Sequence, residues 1–162
     1  TSFSLGQTLI TARSLDSCFL LFKEMNDDLS ERLRGEKCQT SLVHVWIGYR
    51  DDIAYSHQET LPFPTSDSEL LFRAIKRAIL SGAHEGLIQG IGISYGKLKK
   101  DEGSVQLSLF EESDEQAERL ELQKTIDAIH RIYGRNSVLR ASSLLKESTV
   151  KKRHEQIGGH RE

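Results

Sequence analysis

Apolar residues recur along this chain with two different periods. Leu15, Cys18, Phe22, Met25, Leu29 and Leu33 fall three or four residues apart, the spacing of one helix face, and Gly35 is placed to stop it. Leu71, Ala74, Ile75, Ala78 and Ile79 repeat that pattern ahead of Gly82, and Ser66 followed by Glu69 reads as a capping box at the helix start. Between the two helices, Val43, Val45 and Ile47 alternate with His44, Trp46 and Gly48, the period of a strand with two unlike faces. Asp51-Asp52 supplies a polar turn, residues 55–61 read as the returning strand, and Pro62 and Pro64 close it. Residues 2–9 suit a short edge strand, and residues 86–95 form an apolar strand softened by Gly90 and Gly92. The order β-α-β-β-α-β predicts an α+β fold, a four-stranded sheet with both helices on one face and the other face open.

After Lys100 the pattern changes. Residues 101–118 are acidic and poor in large apolar side chains, while Leu122, Ile126, Ile129 and Tyr133 mark a short helix ending at Gly134. The rest is basic and polar and reads as a flexible tail. Three zones follow: a domain over 1–100, an acidic linker over 101–118, and a short helix with a basic tail over 119–162. Charge sharpens that division. Residues 1–100 carry 12 Lys and Arg against 12 Asp and Glu, residues 101–122 carry 1 against 8, and residues 123–162 carry 9 against 4. The net charge of −2 argues against tight, independent binding of nucleic acid, which favours a strongly basic surface. No apolar run is long enough for a membrane span. Cys18 and Cys38 lack paired spacing, so free thiols in a reducing cytoplasm are expected. The chain opens on Thr1 and holds Met25 alone, which reads as a piece of a longer protein.

One sequence stands out in the acidic linker: Gln106-Leu107-Ser108-Leu109-Phe110. Three large apolar side chains sit where no core of their own can form, and exposed apolar groups in such a segment serve as anchors for a partner's pocket. Glutamine adds a donor and an acceptor for the backbone lining a groove. A micromolar affinity of about −6 to −8 kcal/mol suits a peptide of this size after its ordering cost. The alternation of Val105, Leu107 and Leu109 is equally that of a fifth strand, and the pattern alone leaves both readings open.

The pentapeptide resembles the bacterial clamp-binding motif at every position. Gly6-Gln7-Thr8-Leu9, the hairpin from Val43-His44-Val45-Trp46 to Glu59-Thr60-Leu61, and Ile88-Gln89-Gly90-Ile91-Gly92-Ile93-Ser94 resemble the strands of the little-finger domain of bacterial Y-family (UmuC/DinB-like) translesion DNA polymerases. Residues 129–134, 140–144 and 156–160 are similar to the tails of UmuC-like members of Gram-positive type. The resemblance implies a domain that grips the template-primer backbone weakly and without reading sequence, and a peptide that recruits the enzyme to the sliding clamp. It further implies a parent polymerase, using magnesium, that acts in DNA damage repair and the SOS response. No catalytic residue and no cofactor are expected in this chain itself. On the open face, the DNA-contacting residues implied are Ser4, Gln7, His44, Trp46, His57, Gln58, Gly92 and Ser94. Many little fingers place Lys or Arg there, so this grip should be weaker. Trp46 fits a buried role under a loop equally well.

Other constellations are thinner. Gly90-x-Gly92 lacks the third glycine and the lysine of nucleotide loops. His154 and His160 in the tail are a weak metal signature, and Asp27-Asp28 and Asp51-Asp52 suit a helix surface and a turn. Two rivals stay in view: a nucleic-acid-binding module outside any polymerase with a ferredoxin-like sheet, and a small ferredoxin-like enzyme. The first usually shows two or three aromatics on its open face. The second needs a convergent acid, base or nucleophile set.

Overall fold

In the computed structural model, which describes residues 2–103, 113–157 and 160–161, alternating apolar positions drive four strands together. Strand β1 runs Phe3–Arg13, helix α1 Leu15–Gly35, β2 Cys38–Tyr49, β3 Tyr55–Thr65, helix α2 Ser68–Leu80 and β4 Ile88–Lys100. The sheet order is β1-β4-β2-β3, with every neighbouring pair antiparallel. Val43, Val45 and Ile47 of β2 and Ile91, Ile93 and Tyr95 of β4 point to one side and are buried. The apolar stripes of α1 (Cys18, Phe22, Met25, Leu29, Leu33) and α2 (Leu71, Ala74, Ile75, Ala78, Ile79) cover them from that side. The predicted α+β order and the single covered face are therefore both present.

Polar groups are stitched into this core. The Tyr95 hydroxyl donates to Asn26 Oδ1 at 2.5 Å, and Asn26 Nδ2 donates to the Ser68 carbonyl at 2.9 Å, tying β4, α1 and α2 together. Helix α2 starts on Asp67 instead of Ser66: the Asp67 carboxylate accepts from the Glu69 N–H at 2.9 Å. The left-handed residue after α1 is Lys37 (φ 51), while Gly35 ends the helix itself. Strand β3 continues through Pro62 and Pro64, because an edge strand needs only alternate N–H groups and the register with β2 already shifts between Thr60 and Thr65.

The C-terminal part differs most from the pattern reading. Helix α3 spans Ser113–Tyr133, beginning inside the zone expected to be linker, and Gly134 (φ +95) caps it by donating its N–H to the His130 carbonyl. A 3₁₀ turn at Ala141–Leu144, a short helix α4 at Val150–His154 and a two-residue ribbon, β5 (Gln156–Ile157) with β6 (His160–Arg161), follow. The expected free tail is instead laid along α1 over its described length up to His154. The Arg34 guanidinium bonds both Asp127 oxygens at 2.7 and 3.0 Å, and Arg119 grips the buried Asp67 at 2.6 Å. Among the described residues no helix is long and apolar enough to cross a membrane.

Candidate nucleic-acid interface

The sheet face opposite the helices is built from rows of hydrogen-bonded partners. One row holds Ser4, Ser94, His44 and Gln58, and the next holds Gly6, Gly92, Trp46 and Ser56. A third holds Thr8, Gly90 and Gly48. None of these residues is Lys, Arg, Asp or Glu. His44 Nε2 lies 2.6 Å from Ser56 Oγ, which fixes the ring against the sheet. Along this middle the backbone is bare: four of the eleven positions are glycine.

Trp46 is on this open side and 41% exposed, so it is not under a loop. Its six-membered ring lies over the Gly48–Gly90 pair. A Cβ at Gly48 would fall 2.6 Å from its Cη2, and one at Gly90 2.9 Å from its Cζ3. The glycines thus serve close approach of a ring, a more specific role than the strand softening expected from the sequence.

Six of the eight expected contact residues, Ser4, His44, Trp46, Gln58, Gly92 and Ser94, share this face. Gln7 and His57 do not, and both are corrections to the expected placement. Gln7 pairs with the buried Ile91 and points to the helix side, where its Oε1 accepts from Thr149 Oγ1 at 3.1 Å. His57 pairs with the buried Val45, stands beside Tyr55, and lies 3.8 Å from Glu59 on the side of α2. Alternation forbids neighbours such as His57 and Gln58 from sharing a face. Gln106, Leu107, Ser108, Leu109 and Phe110 lie outside the described residues.

Cations stand at the rim. Lys97, Lys99 and Lys100 are exposed at the end of β4, beside the Lys37 turn, whose carbonyl accepts from the Asp101 N–H at 2.9 Å. The Lys97-Leu98-Lys99-Lys100 run was the signal for them, passed over because it follows the last apolar alternation.

A second polar surface, on α1, is more than the plain helix surface that Asp27-Asp28 suggests in the sequence. Glu24, Asp27, Asp28 and Glu31 form one helical row, and each meets the C-terminal segment. Ser148 Oγ donates to Glu24 at 2.5 Å and Arg140 Nε to Asp27 at 2.7 Å, while Arg153 and His154 reach Asp28 at 2.6 and 2.8 Å. His130 donates to Glu31 from Nδ1 at 3.0 Å and to the Val138 carbonyl from Nε2 at 2.8 Å. Both partners are acceptors, so the ring carries both protons. Burial pulls its pKa down, but the Val138 carbonyl, the Glu31 carboxylate and Asp127 raise it more, to a net value above 6.5. Burial likewise pushes Asp28 up, and is outweighed by His154 and Arg153, which hold it below 3.8.

Burial pushes the Cys18 thiol up to about 11, and among the described residues no three His, Cys, Asp or Glu side chains converge as metal ligands.

Comparison with known proteins bears on the same stretch. The model of the impB/mucB/samB family C-terminal domain matches residues 2–109. A Bacillus subtilis (strain 168) protein described as DNA polymerase IV 2 is 26% identical over 140 residues, 85% of this chain and 33% of that protein. A putative UV-damage repair protein, UvrX, from the same organism is 25% identical over 141 residues, again 85% of this chain and 33% of the relative. That coverage takes in residues beyond 109, so the likeness reaches into the C-terminal layer. The chain spans about a third of the length of these relatives. Among solved structures, the little finger in a complex of the β-clamp processivity factor with the little finger domain of PolIV has the same fold. It matches with a TM-score of 0.50 and 13% identity, over 68% of this chain and 100% of that one.

Proposed function

The chain belongs to the impB/mucB/samB C-terminal domain family, and on that premise we propose that it is the DNA-holding, clamp-recruiting portion of a translesion DNA polymerase. The observation that carries this reading is the uncovered sheet face, with both helices on the other side and lysines at its rim. Bare backbone and neutral polar groups let a duplex approach closely and be positioned without base readout. The rim lysines Lys97 and Lys99 take phosphates, Lys100 being turned to the Glu36 carbonyl at the end of α1, and the neutral centre keeps the grip weak.

Gln106, Leu107, Ser108, Leu109 and Phe110 dock on a sliding clamp, which holds the polymerase at the primer end while the domain itself binds loosely. Catalysis belongs to the remainder of a longer cytoplasmic protein, whose magnesium ions sit on carboxylates outside this chain.

A pull-down on purified bacterial sliding clamp tests the recruitment half. The intact chain should be retained, whereas a version ending at Lys100 and the double variant Leu109→Ala, Phe110→Ala should pass through. Retention of either overturns the assignment of the peptide.

A further inference from the structure

We propose that the Trp46 ring on its glycine floor is a stacking site for a single unpaired nucleobase, such as one in a single-stranded template. This rests on the open sheet face being the one turned to DNA, and adds to that reading a ligand and a residue.

The geometry supports a flat ligand. The indole is backed on one side by Gly48 and Gly90, where any Cβ would lie within 3.0 Å of a ring atom, and remains 41% exposed. A ring pressed to the backbone and open above presents one π-face to solvent. Beside it in the same row lie Gly92 and Gly6, where an added Cβ would meet only ordinary contacts, so no side chain walls off the approach.

The chemistry favours a base over a phosphate. Rows through Ser4, Gly6 and Thr8 hold no Lys, Arg, Asp or Glu, so this patch has no formal charge to match an anion. A nucleobase is neutral, planar and polar at its edges. Ser94, Ser56 and the His44–Ser56 pair offer hydrogen bonds within one row of the indole. Bases inside a duplex have both faces covered by their neighbours, so a flat indole has nothing to stack on there. An unpaired base has a free face. Stacking of this kind is sequence-tolerant, because every base presents a π-face.

The same contact has a plainer alternative, in which the indole only shields two glycines from water. The chain separates the two by itself, since Trp46 is its sole tryptophan and its emission reports this position alone. The full chain is titrated with a short oligothymidine, with an abasic oligomer of the same length, and with a dumbbell duplex closed at both ends by non-nucleotide linkers, which leaves no unpaired base. Occupancy is followed independently by the anisotropy of labelled DNA.

Oligothymidine should quench Trp46 in step with occupancy, and the abasic oligomer and dumbbell should not. Trp46→Ala should weaken oligothymidine binding by roughly 5- to 100-fold, a loss at least about fivefold larger than for the dumbbell, and Trp46→Phe should restore most of it. Circular dichroism of the variants checks the fold at this exposed position. Equal quenching by the abasic oligomer overturns the proposal, as does oligothymidine binding by Trp46→Ala at the wild-type level. If the dumbbell binds but oligothymidine leaves the emission unchanged, the stacking site falls and the DNA-holding face stands. If no DNA binds, both fall.

Discussion

At the scale of single residues, Gly48 shows how a missing side chain specifies a neighbour. The Trp46 ring occupies the space a Cβ would need, and it lies at the end of a side chain able to swing outward. Gly48→Ala is therefore expected to lift the indole off the sheet, with a stability cost below about 1 kcal/mol, because an exposed ring relocates more cheaply than a packed core. A red shift of Trp46 emission with an almost unchanged urea midpoint is the expected result. A blue-shifted or unshifted emission would mean that the ring is held by something other than this floor. The alternation of β2 was enough to put Trp46 and His44 on one face. It could not say that Gly48 and Gly90 exist for the ring, since that depends on a cross-strand register no local pattern encodes. Gln7 was misplaced for a related reason: a polar residue on the helix side makes sense only once Thr149, far away in sequence, is seen beside it.

At the scale of elements, α1 carries two stripes, and only the apolar one was legible. Asp27 and Asp28 suit a plain helix surface in the sequence, and Glu24 and Glu31 give no signal at all, because their partners lie about a hundred residues away and a helical period says nothing about what faces it. Their pairing makes the C-terminal layer an electrostatic attachment with a definite pH window. His130 has a folded pKa above 6.5, so its contribution is full below 6.5 and is lost as the pH rises through the folded value. Asp28 has a folded pKa below 3.8, so its contribution is present above 3.8 and is lost as the pH falls through the folded value. His130 faces Glu31 and Asp127, and Asp28 faces Arg135, Arg153 and His154. Amide protection factors across residues 135–154, with the intrinsic pH dependence of exchange divided out, should thus be highest between those limits and fall on the alkaline side. His130→Gln should flatten the alkaline limb. Asp28→Asn leaves the nearly buried Arg153 without its carboxylate, which costs about 3–5 kcal/mol if the group stays buried. Because the segment can instead lift away, the expected outcome is lost protection in 135–154 with little change in the melting of the sheet.

At the scale of the whole chain, the separation of charge is the organising fact. A near-neutral domain with lysines only at the rim of its open face should hold duplex DNA weakly, and raising salt should weaken that binding steeply. Anisotropy titrations at several salt concentrations measure both, and salt-insensitive nanomolar binding would show that another surface is in use. The order of elements, the covered face and the two core stripes were readable because each is a short-range pattern of apolar residues. The docked C-terminal layer was not, since it is held mainly by ion pairs and buries few apolar groups, Val150 among them. Its basic composition is the same one a disordered tail would have.

The two prolines of β3 also bear on how the molecule behaves among its own copies. Pro62 and Pro64 sit on the outermost strand and have no amide hydrogen to offer a newcomer, so that end of the border is a poor template for another chain to zip onto. Such a blunted margin discourages strand pairing between copies there while the flat side is left free.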